Sequence, residues 1–186
     1  MLGYILCVGI CAVIWIVNVI CIIHAVREHV VSEIYMHVGL GTFFSLLTVE
    51  LTLGAEMWIR FDASWLKVAG LILYIPSAIL VFDSMLELKR KGKPQAGDPT
   101  ATTAFINTGV YRVVRQPMTL GMAIWSIALI FAFQSILSMI LGVLSAFCFW
   151  MAAEKEAWYN IKKFGEEYKE YMRKVPTWNT LRRLIR

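Results

Sequence analysis

Charge is scarce in this chain. Asp, Glu, Lys and Arg make up 17% of its 186 residues, against 59% apolar ones. That balance excludes a soluble domain of this length, whose outer layer must be polar. Metal-ligand and disulfide patterns are missing too. Cys7, Cys11, Cys21 and Cys148 all fall inside apolar runs, at spacings that match neither a zinc site nor a disulfide framework. They read as small packing residues. No internal repeat or low-complexity tract is present. The first apolar run lacks the basic flank and small-residue cleavage site of a secretory signal and is too long for one, so it reads as a retained helix.

What the chain has in abundance is runs of the length that crosses a bilayer as a helix, about 20 residues. They extend from Leu2 to about Val26, from about Val38 to Ile59, from Trp65 to about Met85, from about Thr119 to Phe133 and from about Ile136 to Ala153. Helices are expected because an isolated span must satisfy its own backbone hydrogen bonds. Only Gln134 and Ser135 separate the last two runs, which predicts a tight, re-entering helical hairpin. The fold class expected is an all-α integral membrane protein of about five transmembrane helices with a cytoplasmic amphipathic C-terminal helix. Its organisation divides into a three-helix transmembrane region, 1–87, and a core of loop, hairpin and tail, 88–186.

The charges that exist are uneven. Residues 1–82 carry three Lys/Arg and five Asp/Glu, residues 83–115 six and three, and residues 154–186 nine and five. An even number of spans separates the two basic segments, so both belong on the cytoplasmic side by the positive-inside rule, with the N-terminus outside. Lipid headgroups account for part of this charge, and nucleic-acid binding is a poor reading of it. Inside the spans, Glu50 is the one deep charge, with Glu56 nearer the helix end. A carboxylate there is costly and is a functional candidate by default. Without a basic partner in another span, however, it is thin support for an ion path.

The polar segments are richer. Lys89-Arg90-Lys91-Gly92-Lys93-Pro94 ends the third run and Gly97-Asp98-Pro99 continues as loop. Thr108-Gly109-Val110-Tyr111-Arg112-Val113-Val114-Arg115-Gln116-Pro117-Met118-Thr119-Leu120-Gly121 then leads into the hairpin. Gly109 lets backbone approach closely, Pro117 suits the first turn of a helix, and Arg115 can grip a carboxylate or phosphate through parallel hydrogen bonds. The plainer reading is an interfacial turn whose arginines touch lipid phosphate. In the tail, Glu154-Lys155-Glu156 is followed by Phe164-Gly165-Glu166-Glu167-Tyr168-Lys169-Glu170-Tyr171 and Val175-Pro176. Phe164, Tyr168 and Tyr171 share one face of a continuous helix, which predicts an amphipathic segment lying on the membrane or on the loop.

Gly109-Val110-Tyr111-x3-Arg115-Gln116-Pro117-x3-Gly121 resembles the G-x-Y-x-x-x-R-H-P-x-Y-x-G signature of isoprenylcysteine carboxyl methyltransferases and related membrane phospholipid methyltransferases. Glu156-x7-Phe164-Gly165-Glu166-Glu167-Tyr168-x2-Tyr171-x3-Val175-Pro176 resembles their second block, and Lys91-Gly92-Lys93-Pro94 the segment before the signature in prokaryotic members. The likeness covers about half of the chain. It implies methyl transfer from S-adenosylmethionine to a lipid or prenylated acceptor held in the bilayer, at the cytoplasmic interface. On that resemblance Arg115 and Glu156 are the catalytic candidates. Gly109, Val110, Tyr111, Gln116, Pro117, Leu120 and Glu156 are the expected cofactor-binding residues, Tyr111 offering an aromatic face to the sulfonium. Such a reaction mainly requires alignment of the reacting groups. A carboxylate acceptor needs no base, whereas an amine must first shed its proton.

Three positions depart from the pattern: Gln116 stands where the family has His, Thr119 where it often has Tyr, and Ala157 where it has a second Glu. Gln donates and accepts hydrogen bonds but carries neither proton nor charge. Glu154 is the nearby carboxylate that could replace the missing one. These departures keep open an alternative: a catalytically degenerate member serving as an accessory membrane subunit with a protein partner.

Overall fold

A computed structural model describes residues 1–53, 59–92, 94–95, 98–102 and 106–178. Glu56, Lys93 and Gly97, discussed above, lie outside the described residues. The chain is all-helical in class, and the described residues form six α-helices: α1 (Leu2–Arg27), α2 (Val31–Leu53), α3 (Ser64–Lys91), α4 (Pro117–Phe133), α5 (Ile136–Phe164) and α6 (Glu166–Lys174). Helices α1, α2, α3 and α5 are long and apolar enough to cross a membrane. Helix α4 has 17 residues, which at 1.5 Å per residue reach about 25 Å. Together they form a multi-pass membrane bundle.

Two boundaries differ from the sequence reading. Helix α2 begins at Val31 rather than near Val38, because helix formation carries through Glu33 and His37 before the apolar stretch starts. The loop after α3 is not wholly irregular: β1 (Pro94–Gln95) pairs antiparallel with β2 (Asp98–Thr102), Pro94 opposite Thr102 and Gln95 opposite Asp98. Thr100 and Thr102 are β-branched and favour such extended backbone.

Neighbouring helices run antiparallel, and small polar side chains fix their register. The Trp15 indole donates to Ser45 Oγ at 2.9 Å, and His37 Nδ1 lies 3.0 Å from Asn18 Oδ1, tying α1 to α2. Ser145 Oγ donates to the Gly39 carbonyl at 3.0 Å, joining α5 to α2. Ser77 Oγ donates to the Gly121 carbonyl at 2.8 Å, joining α3 to α4. At that crossing the backbones must come close: a methyl group on Gly121 would sit 2.8 Å from Val81 Cγ2. Such small-residue contacts drive helix association where lipid removes the ordinary hydrophobic incentive. Between these helices lies a core of Phe43, Leu46, Val81, Met122, Ala123, Leu129 and Phe149. The outward faces, such as Ile5, Ile16 and Ile20 of α1 and Leu71, Ile72 and Ile75 of α3, are exposed and apolar, as lipid contact demands.

The hairpin turn is short for local reasons. Gln134 takes a left-handed conformation (φ 53) that closes α4, and Ser135 caps α5 through a reciprocal bond pair with Ser138. Residues 59–63, just before α3, zip onto this turn. Phe61 N–H donates to the Gln134 carbonyl at 2.9 Å, and Ala63 exchanges bonds of 2.8 and 3.0 Å with the Gln134 amide. Glu50 does have a basic partner, from this segment rather than from a span: Arg60 Nη2 lies 2.5 Å from Glu50 Oε2. The guanidinium also donates to the Phe133 carbonyl at 2.8 Å, and Ser135 Oγ donates to the other Glu50 oxygen. Antiparallel packing puts this turn at the end of the bundle opposite the mouth of α4, with the N-terminus. The segments 106–116 and 164–178 sit together at the other end.

Candidate active site at the mouth of the hairpin

The signature segment is held from behind by α3. Gly109 has φ +57, a conformation that L side chains rarely adopt, and a Cβ there would approach Glu87 Cδ at 3.0 Å. Glu87 in turn receives Thr108 Oγ1 at 2.9 Å and Lys91 Nζ at 2.8 Å. A 3₁₀ turn, Gly109–Arg112, follows, and the Val110 carbonyl accepts from the Val113 and Val114 amides, each at 3.1 Å. Gln116 then adopts a non-helical conformation as the N-cap of α4, with Pro117 buried at the first helical position. Leu120 N–H donates to the Gln116 carbonyl at 3.1 Å and Thr119 Oγ1 to the same oxygen at 3.1 Å. Gly109, Val110, Pro117 and Leu120 thus shape the backbone, whereas Tyr111, Arg115 and Gln116 project polar groups.

Those groups meet the second motif block. Glu156, on the extension of α5 past its apolar stretch, lies within hydrogen-bonding range of the buried Gln116 amide, and the charge of Glu33 on α2 acts on it as well. Asn160, one turn on, reaches Glu156 Oε1 and the Tyr168 hydroxyl, each at 3.5 Å. Tyr111 lies between, its hydroxyl close to Ser84, and Tyr171 donates its hydroxyl to the Tyr111 carbonyl. Burial is the main cause that pushes the phenols of Tyr111, Tyr168 and Tyr171 above their ordinary range; for Tyr111 and Tyr168 the nearby Glu156 charge adds to it. The phenols therefore stay neutral donors.

Two expectations about the tail need correcting. The helix is not continuous through Phe164: Gly165, at φ +64, ends α5 and starts α6. Phe164 nevertheless stays with the tyrosines, its ring centroid 6.4 Å from that of Tyr168, and Tyr168, Tyr171 and Val175 form a small buried cluster. Glu154 is exposed and does not join Glu156, and Ala157 is buried. The additional carboxylate whose charge acts on Glu156 comes instead from Glu33, more than fifty residues from any motif, for which the sequence offered no signal. Asn160 did have one: it stands four residues after Glu156, on the same helix face.

Arg115 and Glu156 do not form an ion pair. Tyr168 and Asn160 stand between them. The Arg115 backbone N–H donates to the Pro176 carbonyl at 3.0 Å, and its Nη2 donates to Thr177 Oγ1. Its Nε and Nη1 are buried and have no partner among the described residues. Buried donors rarely remain unsatisfied, so the arrangement suits a ligand with an acidic group at Arg115 and donors or a cation at Glu156.

Comparison with known proteins adds one finding. The Phospholipid methyltransferase family model matches residues 65–167, more than half of the chain and the whole stretch from α3 to the start of α6. No curated protein and no solved structure matches. With the signature segment and the start of the second block folded against one another inside the matched region, the chain belongs to the phospholipid methyltransferase family.

Proposed function

We propose that this protein is a methyltransferase that uses S-adenosylmethionine and acts on a lipid or prenylated acceptor presented from the bilayer. The observation that carries the reading is the junction of the two motif blocks at Gln116 and Glu156, beside an arginine with unspent buried donors. These residues fit the cofactor. Arg115 has donors for its carboxylate, Glu156 and Asn160 offer acceptors for its ammonium or hydroxyl groups, and Tyr111 offers an aromatic face. When bound, S-adenosylmethionine supplies an electrophilic methyl group. The residues do the rest: Gly109 and Pro117 set the loop, Gln116 orients Glu156, and the tyrosines exclude water. Since Gln116 cannot take a proton, any proton removed from an amine acceptor goes to a carboxylate, Glu156 or Glu33. The site end is also the basic end, which supports a cytoplasmic site with the N-terminus outside.

Calorimetric titration of the detergent-purified protein with S-adenosylmethionine and S-adenosylhomocysteine tests this. Saturable binding that is lost in Arg115→Ala and Glu156→Ala is the expected result. A folded protein that binds neither compound sinks the reading and favours the accessory-subunit alternative that Gln116 and Ala157 keep open.

A further inference from the structure

At the end of the second motif block, past the family match, the chain turns back over the site. Val175 N–H donates to the Tyr171 carbonyl at 2.8 Å, the Pro176 carbonyl takes the Arg115 amide, and the Thr177 hydroxyl takes Arg115 Nη2. The next residue, Trp178, packs its ring against the central core of Phe43, Leu46, Val81, Met122 and Phe149. Its Nε1 is buried and has no partner among the described residues, the same condition as Arg115 Nε and Nη1. Among the described residues these three nitrogens are the buried side-chain atoms left without a partner, one on the strap and two on the arginine that the strap bonds through Pro176 and Thr177. All three are donors only. An indole N–H and a guanidinium left dry are costly, and a negatively charged oxygen is the partner that relieves both.

We propose that Trp178 and Arg115 bind one acidic group, a carboxylate or a phosphate, so that the strap 175–178 is part of the binding site rather than a passive tail. The proposal deepens the methyltransferase reading and rests on it for the choice of probes. A carboxylate would come from the cofactor and a phosphate from the lipid head.

The test uses the full chain in detergent and the variant Trp178→Phe, which removes the N–H and keeps an aromatic ring in the core. Affinity is measured for S-adenosylhomocysteine, for methylthioadenosine, which lacks the carboxylate, for a short-chain phosphatidylethanolamine, and for a diacylglycerol of the same chains, which lacks the phosphate. One hydrogen bond to a charged acceptor corresponds to about a ten- to hundredfold loss. A loss confined to S-adenosylhomocysteine assigns the group to the cofactor, and one confined to the phospholipid assigns it to the lipid. In the wild-type chain the Trp178 indole N–H resonance should move downfield with that probe and not with its truncated counterpart. It can be identified by elimination through Phe variants of the other tryptophans, so the proposal stays testable even if Trp178→Phe does not fold. Unchanged affinities together with an unmoved resonance overturn the pairing, and binding of S-adenosylhomocysteine by the wild type then leaves the methyltransferase reading intact. A wild type that binds phospholipid but neither nucleoside removes the methyltransferase reading, and the phospholipid arm alone decides the pairing. A wild type that binds nothing overturns both.

Discussion

Each end of the bundle contains a glutamate held by the fold, and the two are held differently. At the turn end, the Glu50 side chain is fully buried, and both its oxygens are engaged, by Arg60 and by Ser135. The Arg60 guanidinium also bonds the Phe133 carbonyl. Every partner is charged or well placed, and nothing is left over. At the mouth end, Glu156 meets an amide, a second amide and a phenol-lined wall, while the nearby guanidinium keeps two nitrogens unspent. A carboxylate satisfied on all sides holds a structure together. One whose hydrogen-bond partners are neutral amides, beside idle donors, is arranged for something that comes and goes.

The sharpest way to break this contrast is Arg115→Ala. Methyl transfer should fall at least about a hundredfold, as loss of a key charged donor does elsewhere. The unfolding midpoint in detergent should move little, because two of the three guanidinium nitrogens have no partner among the described residues. A large drop in midpoint would make the two ends alike. Arg60→Met should do the reverse and destabilise the protein by about 2–4 kcal/mol, near the lower part of the range for breaking a buried pair because Arg60 is 21% exposed. The folded fraction should still bind S-adenosylhomocysteine with unaltered affinity, read by calorimetry.

A smaller effect is expected from pH. Tyr168 and Tyr171 have folded-state pKa values raised by burial, so the folded state binds protons more tightly than the unfolded one. Their contribution is fully present below the ordinary tyrosine value and lost as pH rises beyond it. Docking of α6, followed by proteolysis at the tail, should be constant from pH 7 to 9 and weaken above about pH 10. Tyr171→Phe should abolish that dependence in part. The smallest change is expected from Gln116→His, which should keep or raise cofactor affinity by no more than a few-fold. A marked fall would show that the pocket is built around the amide.

Hydropathy made the spans and the two-residue turn legible, since bilayer thickness and backbone satisfaction leave few alternatives. Pro117 and Gly109 could be assigned by conformational preference alone. The partner of Glu50 was not legible, because Arg60 lies in a connection and reaches Glu50 only when that connection folds onto the Gln134 turn. Glu33 is hidden for a similar reason: it approaches Glu156 through the antiparallel register of α2 and α5, which depends on Gly39, Ser145 and Phe149 fitting together. The break at Gly165 was available in principle, as a glycine between two helix-forming stretches, but the spacing of Phe164, Tyr168 and Tyr171 argued more loudly for continuity. Two motif blocks forty residues apart can be matched from sequence. Their meeting at Gln116 and Glu156 requires the hairpin to be there.

The tight turn at Gln134 and Ser135 also bears on how the chain is made. Helix α4, at 17 residues, is short for a stable span, and two residues leave no room for a loop to wait on the far side of the membrane. The hairpin must therefore enter the bilayer as one unit, after α5 has been synthesised, with the Ile59–Ala63 connection already in place to receive it. A chain cut at Gln134 and followed by a polar tail long enough to clear the ribosome should leave α4 uninserted, and moving the same tail to follow Ala153 should bring both helices in together, a switch that glycosylation mapping would record.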